Sequence, residues 1–163
     1  MKTIGLIIWH VWVYVYELMI YLFYGNNIKF GSKLYFRSGF TCKSSGGIIT
    51  IGKHCFFNRN CSIVGMENII IGDDCLFGEN VKIYDHNHVF KKKGLMRNHG
   101  FKTKKVSIGS NCWIANNALI LAGAKIGNNC VIGAGCVIDY EIPDNMIVRA
   151  EQKQKIEEIR FHE

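Results

Sequence analysis

The segment from Ile108 to Ile138 repeats every six residues: Ile108-Gly-Ser-Asn-Cys-Trp, Ile114-Ala-Asn-Asn-Ala-Leu, Ile120-Leu-Ala-Gly-Ala-Lys, Ile126-Gly-Asn-Asn-Cys-Val, Ile132-Gly-Ala-Gly-Cys-Val, then Ile138. An aliphatic residue opens each unit and a small residue takes its fifth place. This period is neither the two of a flat strand nor the 3.6 of a helix. It is the repeat of a parallel β-helix. Three such units make one triangular coil, so residues 18 apart stack, and successive coils lie about 4.8 Å apart as neighbouring strands do. The aliphatic side chains fill a narrow prism and only small residues fit beside them. Gly, Asn and Asp are expected to supply the positive φ that each tight corner needs.

The repeat sets the organisation of the rest. Regular units open at Ile51, Phe57 and Ile63, resume after a two-residue insertion at Ile71, Phe77 and Ile83, and resume again at Ile108. Residues 28–50 are ragged, with Phe30-Gly31-Ser32 and Ser38 to Cys42 as worn units and Ser44 to Gly47 as a loop, which predicts a capping coil. Between Ile83 and Ile108 one hexapeptide leaves an insertion of 19 residues, 89–107. It carries Lys91, Lys92, Lys93, Arg97, Lys102, Lys104 and Lys105, and follows directly on Asp85-His86-Asn87-His88. A long loop thrown from a tight solenoid is expected to carry function. Pro143 is expected to end the strand pattern, and Glu151 to Arg160 to form a short polar helix. The predicted parts are an apolar N-terminal helix over 1–27, the β-helix over 28–148 and a C-terminal helix over 149–163.

Seven cysteines in 163 residues would suggest disulfides in a secreted chain, but their spacing assigns them elsewhere. Cys55, Cys61, Cys75, Cys112, Cys130 and Cys136 all fall in the small-residue place, where Val81, Ala118 and Ala124 also sit. They are expected to act as small hydrophobes, reduced and buried, with Cys55, Cys75, Cys112 and Cys130 forming an internal ladder. The formal charge of +7 suits an anionic ligand or surface: a nucleotide cofactor, a phospholipid or an acidic glycan.

Residues 4–24 form a nearly continuous apolar run interrupted by His10 and Glu17. Three readings compete: a transmembrane span, a helix in the membrane interface, and a helix packed on the solenoid or its copies. The tyrosines and tryptophans between residues 9 and 16 favour the interface, because amphipathic rings partition to the headgroup zone.

Several motifs in fixed order carry a family resemblance. Asn87-His88 and the long loop, Val106-Ser-Ile-Gly-Ser-Asn-Cys-Trp-Ile, Ile132-Gly-Ala-Gly-Cys-Val and Glu141-Ile-Pro-Asp-Asn together resemble the hexapeptide-repeat acyltransferases. Within them the chain is most similar to the maltose and galactoside O-acetyltransferases and their relatives that acetylate bacterial surface polysaccharides, over about residues 50–148. The resemblance implies an all-β, left-handed parallel β-helix that assembles as a homotrimer, with acetyl-CoA in the clefts between subunits. It implies His88 as the base that deprotonates the acceptor hydroxyl and Asn58 as a residue that positions the acceptor. Trp113, Ala115, Ala134 and Gly135 match positions beside the cofactor, where a bulky side chain at the small sites would block the groove. Asp85 and His86 are expected on the acceptor side, His86 in a supporting role.

Two departures bear on the cofactor. Asp139-Tyr140 stands where the family has Thr-Lys, and Ala150-Glu151-Gln152-Lys153 where it has Gly-x-Pro-Ala. Lys153, Lys155 or loop lysines are expected to serve the CoA phosphates instead, since those contacts need charge more than a fixed fork. His54 and His99 are expected at the surface. No metal is expected, because the histidine spacing matches no converging ligand set.

The expected function is transfer of acetyl from acetyl-CoA to a sugar hydroxyl, in making a bacterial surface polysaccharide such as O-antigen or capsule. An imidazole titrating near 6.5 suits the general base that a poorly nucleophilic alcohol needs, and backbone N–H groups at a coil corner suit the oxyanion. The expected acceptor is a sugar or lipid-linked glycan, the expected location is cytoplasmic or peripheral to the inner membrane face, and no nucleic-acid partner is expected. Two alternatives stand beside this: an acetyltransferase for serine or another small hydroxyl or amine, and a non-catalytic solenoid that binds an acidic glycan or membrane.

Overall fold

In the computed structural model, which describes residues 2–151 with side chains from residue 11 onward, inward-pointing residues recur every six positions along each coil. The first coil is β1 (Ile28–Phe30), β2 (Tyr35–Phe36) and β3 (Thr41–Ser44); the second is β4 (Ile48–Ile51), β5 (Phe56–Phe57) and β6 (Ser62–Gly65). The third is β7 (Asn68–Ile71), β8 (Leu76–Phe77) and β9 (Lys82–Tyr84), after which a hairpin of β10 (His86–His88) and β11 (Phe101–Thr103) leaves the prism. The fourth coil is β12 (Val106–Ile108), β13 (Trp113–Ile114) and β14 (Leu119–Ile120); the fifth is β15 (Lys125–Ile126), β16 (Val131–Ile132) and β17 (Val137–Ile138). A sixth, incomplete coil is β18 (Glu141–Ile142) and β19 (Ile147–Val148).

Three parallel sheets form the faces of the prism. Face one is β1-β4-β7-β12-β15-β18, face two β2-β5-β8-β13-β16-β19 and face three β3-β6-β9-β14-β17. The 18-residue stacking is realised in Ile108 over Ile126, Ile114 over Ile132 and Ile120 over Ile138. The chain therefore turns three corners per coil: from face one to two, from two to three, and from three back to one.

Two expectations change. The ragged units of residues 28–47 form a complete coil at the capped end, with Phe30, Phe36 and Cys42 paired to Ile51, Phe57 and Ile63. The six-residue spacing is intact there, but aromatic and thiol side chains fill the inward places that isoleucine fills elsewhere. Pro143 does not end the strands either, because β18 pairs with β15 through Ile126 and Ile142. At this corner each residue donates its N–H to the following coil, as Gly109 does to Ile126 and Gly127 to Ile142. Among the described residues no seventh coil follows Pro143, so its missing N–H costs nothing. The inserted loop is also shorter than the sequence spacing gave: Val106 and Ser107 already belong to β12.

The core grades from aromatic to aliphatic along the axis. Phe36 and Phe40, Phe40 and Phe57, and Phe57 and Phe77 have ring centroids 4.9, 4.9 and 4.4 Å apart. Beyond them Ile114 and Ile132 continue face two. Helix α1 (Lys2–Tyr24) lies over the open end of the first coil, burying Val13 and Ile20. Tyr16 is inserted there as well, its ring 4.9 Å from that of Phe36, its hydroxyl donating to the Phe40 carbonyl at 3.2 Å and accepting the Cys42 N–H at 3.3 Å. Among the described residues no helix is long and apolar enough to cross a membrane.

The corners divide their work between two residue types. Left-handed φ of 55–59° falls to Asn111, Asn129 and His54 at the first corner and to Asn60, Asn80 and Asn117 at the second. The glycines that follow the isoleucines serve another need: a Cβ on Gly72 would lie 2.7 Å from the Gly109 carbonyl carbon in the next coil. Close coil approach fixes them, where the sequence had suggested positive φ.

All seven cysteines are free and buried. Cys55, Cys75, Cys112 and Cys130 form the expected ladder, each thiol donating to a carbonyl of the next coil, at Gly72, Gly109, Gly127 and Pro143, over 3.1–3.2 Å. The predicted C-terminal helix and Lys153 and Lys155 lie outside the described residues.

Candidate active site

The third corner of the third coil is where the chain abandons the solenoid, and a single carboxylate holds that departure in place. Asp85 is fully buried. Its Oδ1 accepts the Met66 N–H and its Oδ2 the Glu67 N–H, both at 2.8 Å, while Oδ1 also lies 3.1 Å from His86 Nδ1. Met66 and Glu67 form the two-residue insertion of the coil below, whose amides no sheet partner would otherwise take. Asp85 was expected on the acceptor side; it sits inside the protein, and its visible work is to tie the insertion to the root of the hairpin. The Asp85 carbonyl accepts the Lys104 N–H at 2.8 Å, closing the returning strand onto the same point.

The hairpin pairs His86, Asn87 and His88 with Thr103, Lys102 and Phe101. Phe101 lies between the two histidine rings, 4.5 Å from that of His88 and 5.6 Å edge-on from that of His86. His86 is largely covered, whereas His88 is exposed and, among the described residues, its ring nitrogens have no partner. The first histidine is thus fastened by Asp85 and the second is backed by an aromatic ring with its nitrogens free for a ligand. His99 staples the hairpin tip through the Val89 and Lys93 carbonyls at 3.0 and 3.2 Å. His54 sits at a surface corner 3.2 Å from Asp74. Among the described residues no three His, Cys, Asp or Glu side chains gather to hold a metal.

A different edge carries the small residues. Outward side chains of face two, Trp113, Val131 and Ile147, stack across β13, β16 and β19. With Ala115, Gly133 and Ala134 at the second corner and Arg149 at one end, they line a mostly apolar groove of about 520 Å³. Trp113 stands half exposed as one wall. The floor has no room for more: a Cβ on Gly133 would lie 2.9 Å from the Val148 carbonyl oxygen. Gly135 adjoins the groove beside Ala134, in the left-handed region at φ +71°. Trp113, Ala115 and Ala134, the positions that the family resemblance singled out, are brought together on this groove, with Gly135 next to them.

Asn58 belongs to this second edge. The amides of Asn58, Gly78, Ala115 and Gly133 each donate to the carbonyl one coil on, at Phe77, Ile114, Ile132 and Val148, making one column along the corner. The Asn58 Oδ1 accepts the Arg59 N–H at 2.9 Å. His88, by contrast, leaves from the third corner. Within one chain the candidate base and the candidate groove occupy different edges of the prism.

Models of known families match the repeats directly: the bacterial transferase hexapeptide (six repeats) over residues 105–139 and the hexapeptide repeat of succinyl-transferase over residues 68–83. WbbJ of Escherichia coli K12, named provisionally as a lipopolysaccharide biosynthesis O-acetyl transferase, is 30% identical over 132 residues, covering 76% of this chain and 67% of that protein. The chain belongs to the hexapeptide-repeat acetyltransferase family. Another member, the galactoside O-acetyltransferase of the same organism, is 34% identical over 116 residues, which are 71% of this chain but 57% of that enzyme. This family member thus spans little more than half the length of the galactoside enzyme. Among solved structures of the family, a hexapeptide-repeat acetyltransferase of Vibrio cholerae complexed with acetyl-CoA matches with a TM-score of 0.64 and 26% identity, covering 74% of this chain and 64% of that one.

Sequence reasoning overlooked Arg149, Val131 and Ile147 as groove residues. Their signal was present: Val131 and Ile147 occupy the place before the inward residue, as Trp113 does, so they stack on it once the sixth coil is recognised.

Proposed function

We propose that this family member transfers acetyl from acetyl-CoA to a hydroxyl of a sugar, in the assembly of a bacterial surface polysaccharide. The observation that carries the reading is the groove: Trp113, Ala115 and Ala134 converge on an apolar trough with a floor of backbone, which suits the slender pantetheine arm of CoA. Arg149 at its end supplies positive charge suited to a phosphate. The family match, the named relatives and the exposed, unencumbered His88 support the same reaction.

In the proposed step the neutral imidazole of His88 accepts the proton of the acceptor hydroxyl as its oxygen attacks the thioester carbonyl. The tetrahedral intermediate collapses with loss of the CoA thiolate, which takes the proton back from the imidazolium. The ester and CoA thiol are the products and no other reactant is needed. Because base and groove lie on different edges of one chain, the complete site requires a neighbouring copy, and a homotrimer in which the third corner of one subunit faces the second corner of the next meets that need.

The test is release of CoA thiol with a panel of sugar acceptors, for the wild type and His88→Ala. The variant is expected to keep the wild-type fold and lose about 10²-fold or more in turnover, the usual scale for a general base. Undiminished turnover would remove His88 from the mechanism. A folded wild type that binds no acetyl-CoA at millimolar concentration would overturn the activity itself.

A further inference from the structure

Helix α1 is apolar on every side, yet only one side is used. Val13, Tyr16 and Ile20 face the first coil. The opposite side presents Val11, Val15, Leu18 and Leu22, with Tyr14 on its flank, all between 53 and 70% exposed. A helix hydrophobic all round is one that is covered all round, and an exposed apolar surface of this extent marks a contact. Among the described residues nothing covers it.

The charges next to this helix identify the cover. Between Glu17 and Glu67 the sequence holds Lys29, Lys33, Arg37, Lys43, Lys53 and Arg59 and not one aspartate or glutamate. These residues lie on the first two coils, the end of the prism that α1 closes; Lys53, on the second, is paired with Asp73 of the third coil at 3.6 Å, while those of the first coil face no acid of their own coil. Lys33 lines a cleft with Val13, Tyr14 and Glu17, which places a cation at the foot of the apolar helix face. The cations at positions 29, 33, 37 and 43 are all exposed. Glu17, the only acid on the helix after residue 10, is half-buried, and that burial raises its carboxyl above the usual range.

We infer that this end of the solenoid docks on the surface of an anionic phospholipid bilayer, with the outer face of α1 in the headgroup and upper acyl zone and the acid-free cationic rim of the first coil against the lipid phosphates. Apolar burial and attraction to anionic headgroups add in such a contact. The helix lies along the surface, since its other side is committed to the first coil through Tyr16 and the phenylalanine stack. The amphipathic rings of Tyr14 and Tyr21 beside the aliphatic side chains fit the interfacial zone. A second copy of the same end is the poorer cover, because it would bring one acid-free cationic rim against another. The inference is independent of acetyl transfer.

The experiment is flotation of the full chain with vesicles of phosphatidylcholine alone and of phosphatidylcholine with one quarter phosphatidylglycerol. The expected result is flotation with the anionic vesicles and at least a tenfold weaker partition to the neutral ones. Leu18→Asp with Leu22→Asp changes only exposed positions; it is expected to keep the thermal unfolding profile and lose flotation. Lys29→Glu with Lys33→Glu is expected to lower partition to anionic vesicles by about tenfold or more while sparing the neutral ones, since each surface cation acts separately on anionic lipid. Failure of the folded wild type to float with anionic vesicles overturns the inference. So does a folded wild type whose larger assembly is broken up by the Leu18 and Leu22 changes without any vesicle binding, which would assign the face to another copy.

Discussion

Replacing Asp85 with asparagine separates what holds the hairpin from what performs chemistry on it. The carboxylate accepts two amides through different oxygens, Met66 N–H on Oδ1 and Glu67 N–H on Oδ2, each over 2.8 Å, in a position with no access to water. Asparagine keeps one acceptor and turns an N–H donor toward the other amide. One hydrogen bond to a charged group is lost, about 1.5–3 kcal/mol, and a buried donor is left without a partner, about 1–3 kcal/mol more. The expected loss of stability is therefore about 3–5 kcal/mol, which moves a urea midpoint by about 2 M at an ordinary denaturant slope. Chemical denaturation followed by tryptophan fluorescence and circular dichroism reads it. His88→Ala, an exposed site, is expected to stay within about 0.5 kcal/mol of the wild type. Turnover should fall in both variants, with stability lost only in the first. A loss below about 1 kcal/mol for Asp85→Asn would refute the anchoring role, and with it the claim that the insertion at Met66 and Glu67 is held by this carboxylate.

Ala134→Trp is expected to raise the Kd for acetyl-CoA by about tenfold or more, the scale on which a filled apolar pocket rejects its ligand, with little change in stability because Ala134 is exposed; calorimetric titration checks it. Unaltered affinity would move the cofactor out of this groove. Burial pushes the Cys42 thiol up to about 12 and the Cys61 thiol up to about 11 from an ordinary value of 9.0. The native Cys42 and Cys61 thiols should therefore react with a disulfide reagent at pH 8 only as fast as the protein opens. The same burial sets a pH dependence: the unfolded chain releases these protons first, so their contribution to stability is intact below about pH 9 and is lost as pH rises toward 11 to 12. Denaturation midpoints that stay constant from pH 8 to 11 would contradict this.

What the sequence disclosed followed from geometry that repeats. An isoleucine every six residues and a cysteine or alanine in the fifth place can be read without coordinates, because each coil imposes the same constraint on the same position. The first coil was less legible because Phe30, Phe36 and Cys42 satisfy the volume of the inward places without the aliphatic signature. The sixth was hidden by Pro143, whose usual effect on strands depends on a neighbour that is absent at the end of a stack. The groove residues Trp113, Ala115 and Ala134 were singled out only through their match to a family motif; that they share one groove is seen in the fold. Asp85, read as an acid beside two histidines, does lie against His86; its hold on two orphan amides of the preceding coil is revealed only by the fold.

Every irregularity in the length of this chain falls on the third corner. The turn at Ser44 to Gly47, the insertion at Met66 and Glu67, the hairpin from His86 to Thr103 and the short link from Ile138 to Glu141 all join face three to face one. The other two corners never vary, and one of them bears the groove. The prism is in effect a bolt with a fixed thread and a single seam. Segments can be lengthened, shortened or exchanged along that seam without altering the pitch, so the hairpin proposed to serve the acceptor can change while the groove proposed for the acyl donor keeps its geometry. Exchanging the hairpin for that of a relative, between Tyr84 and Val106, is thus the natural way to move acceptor preference from one such protein to another.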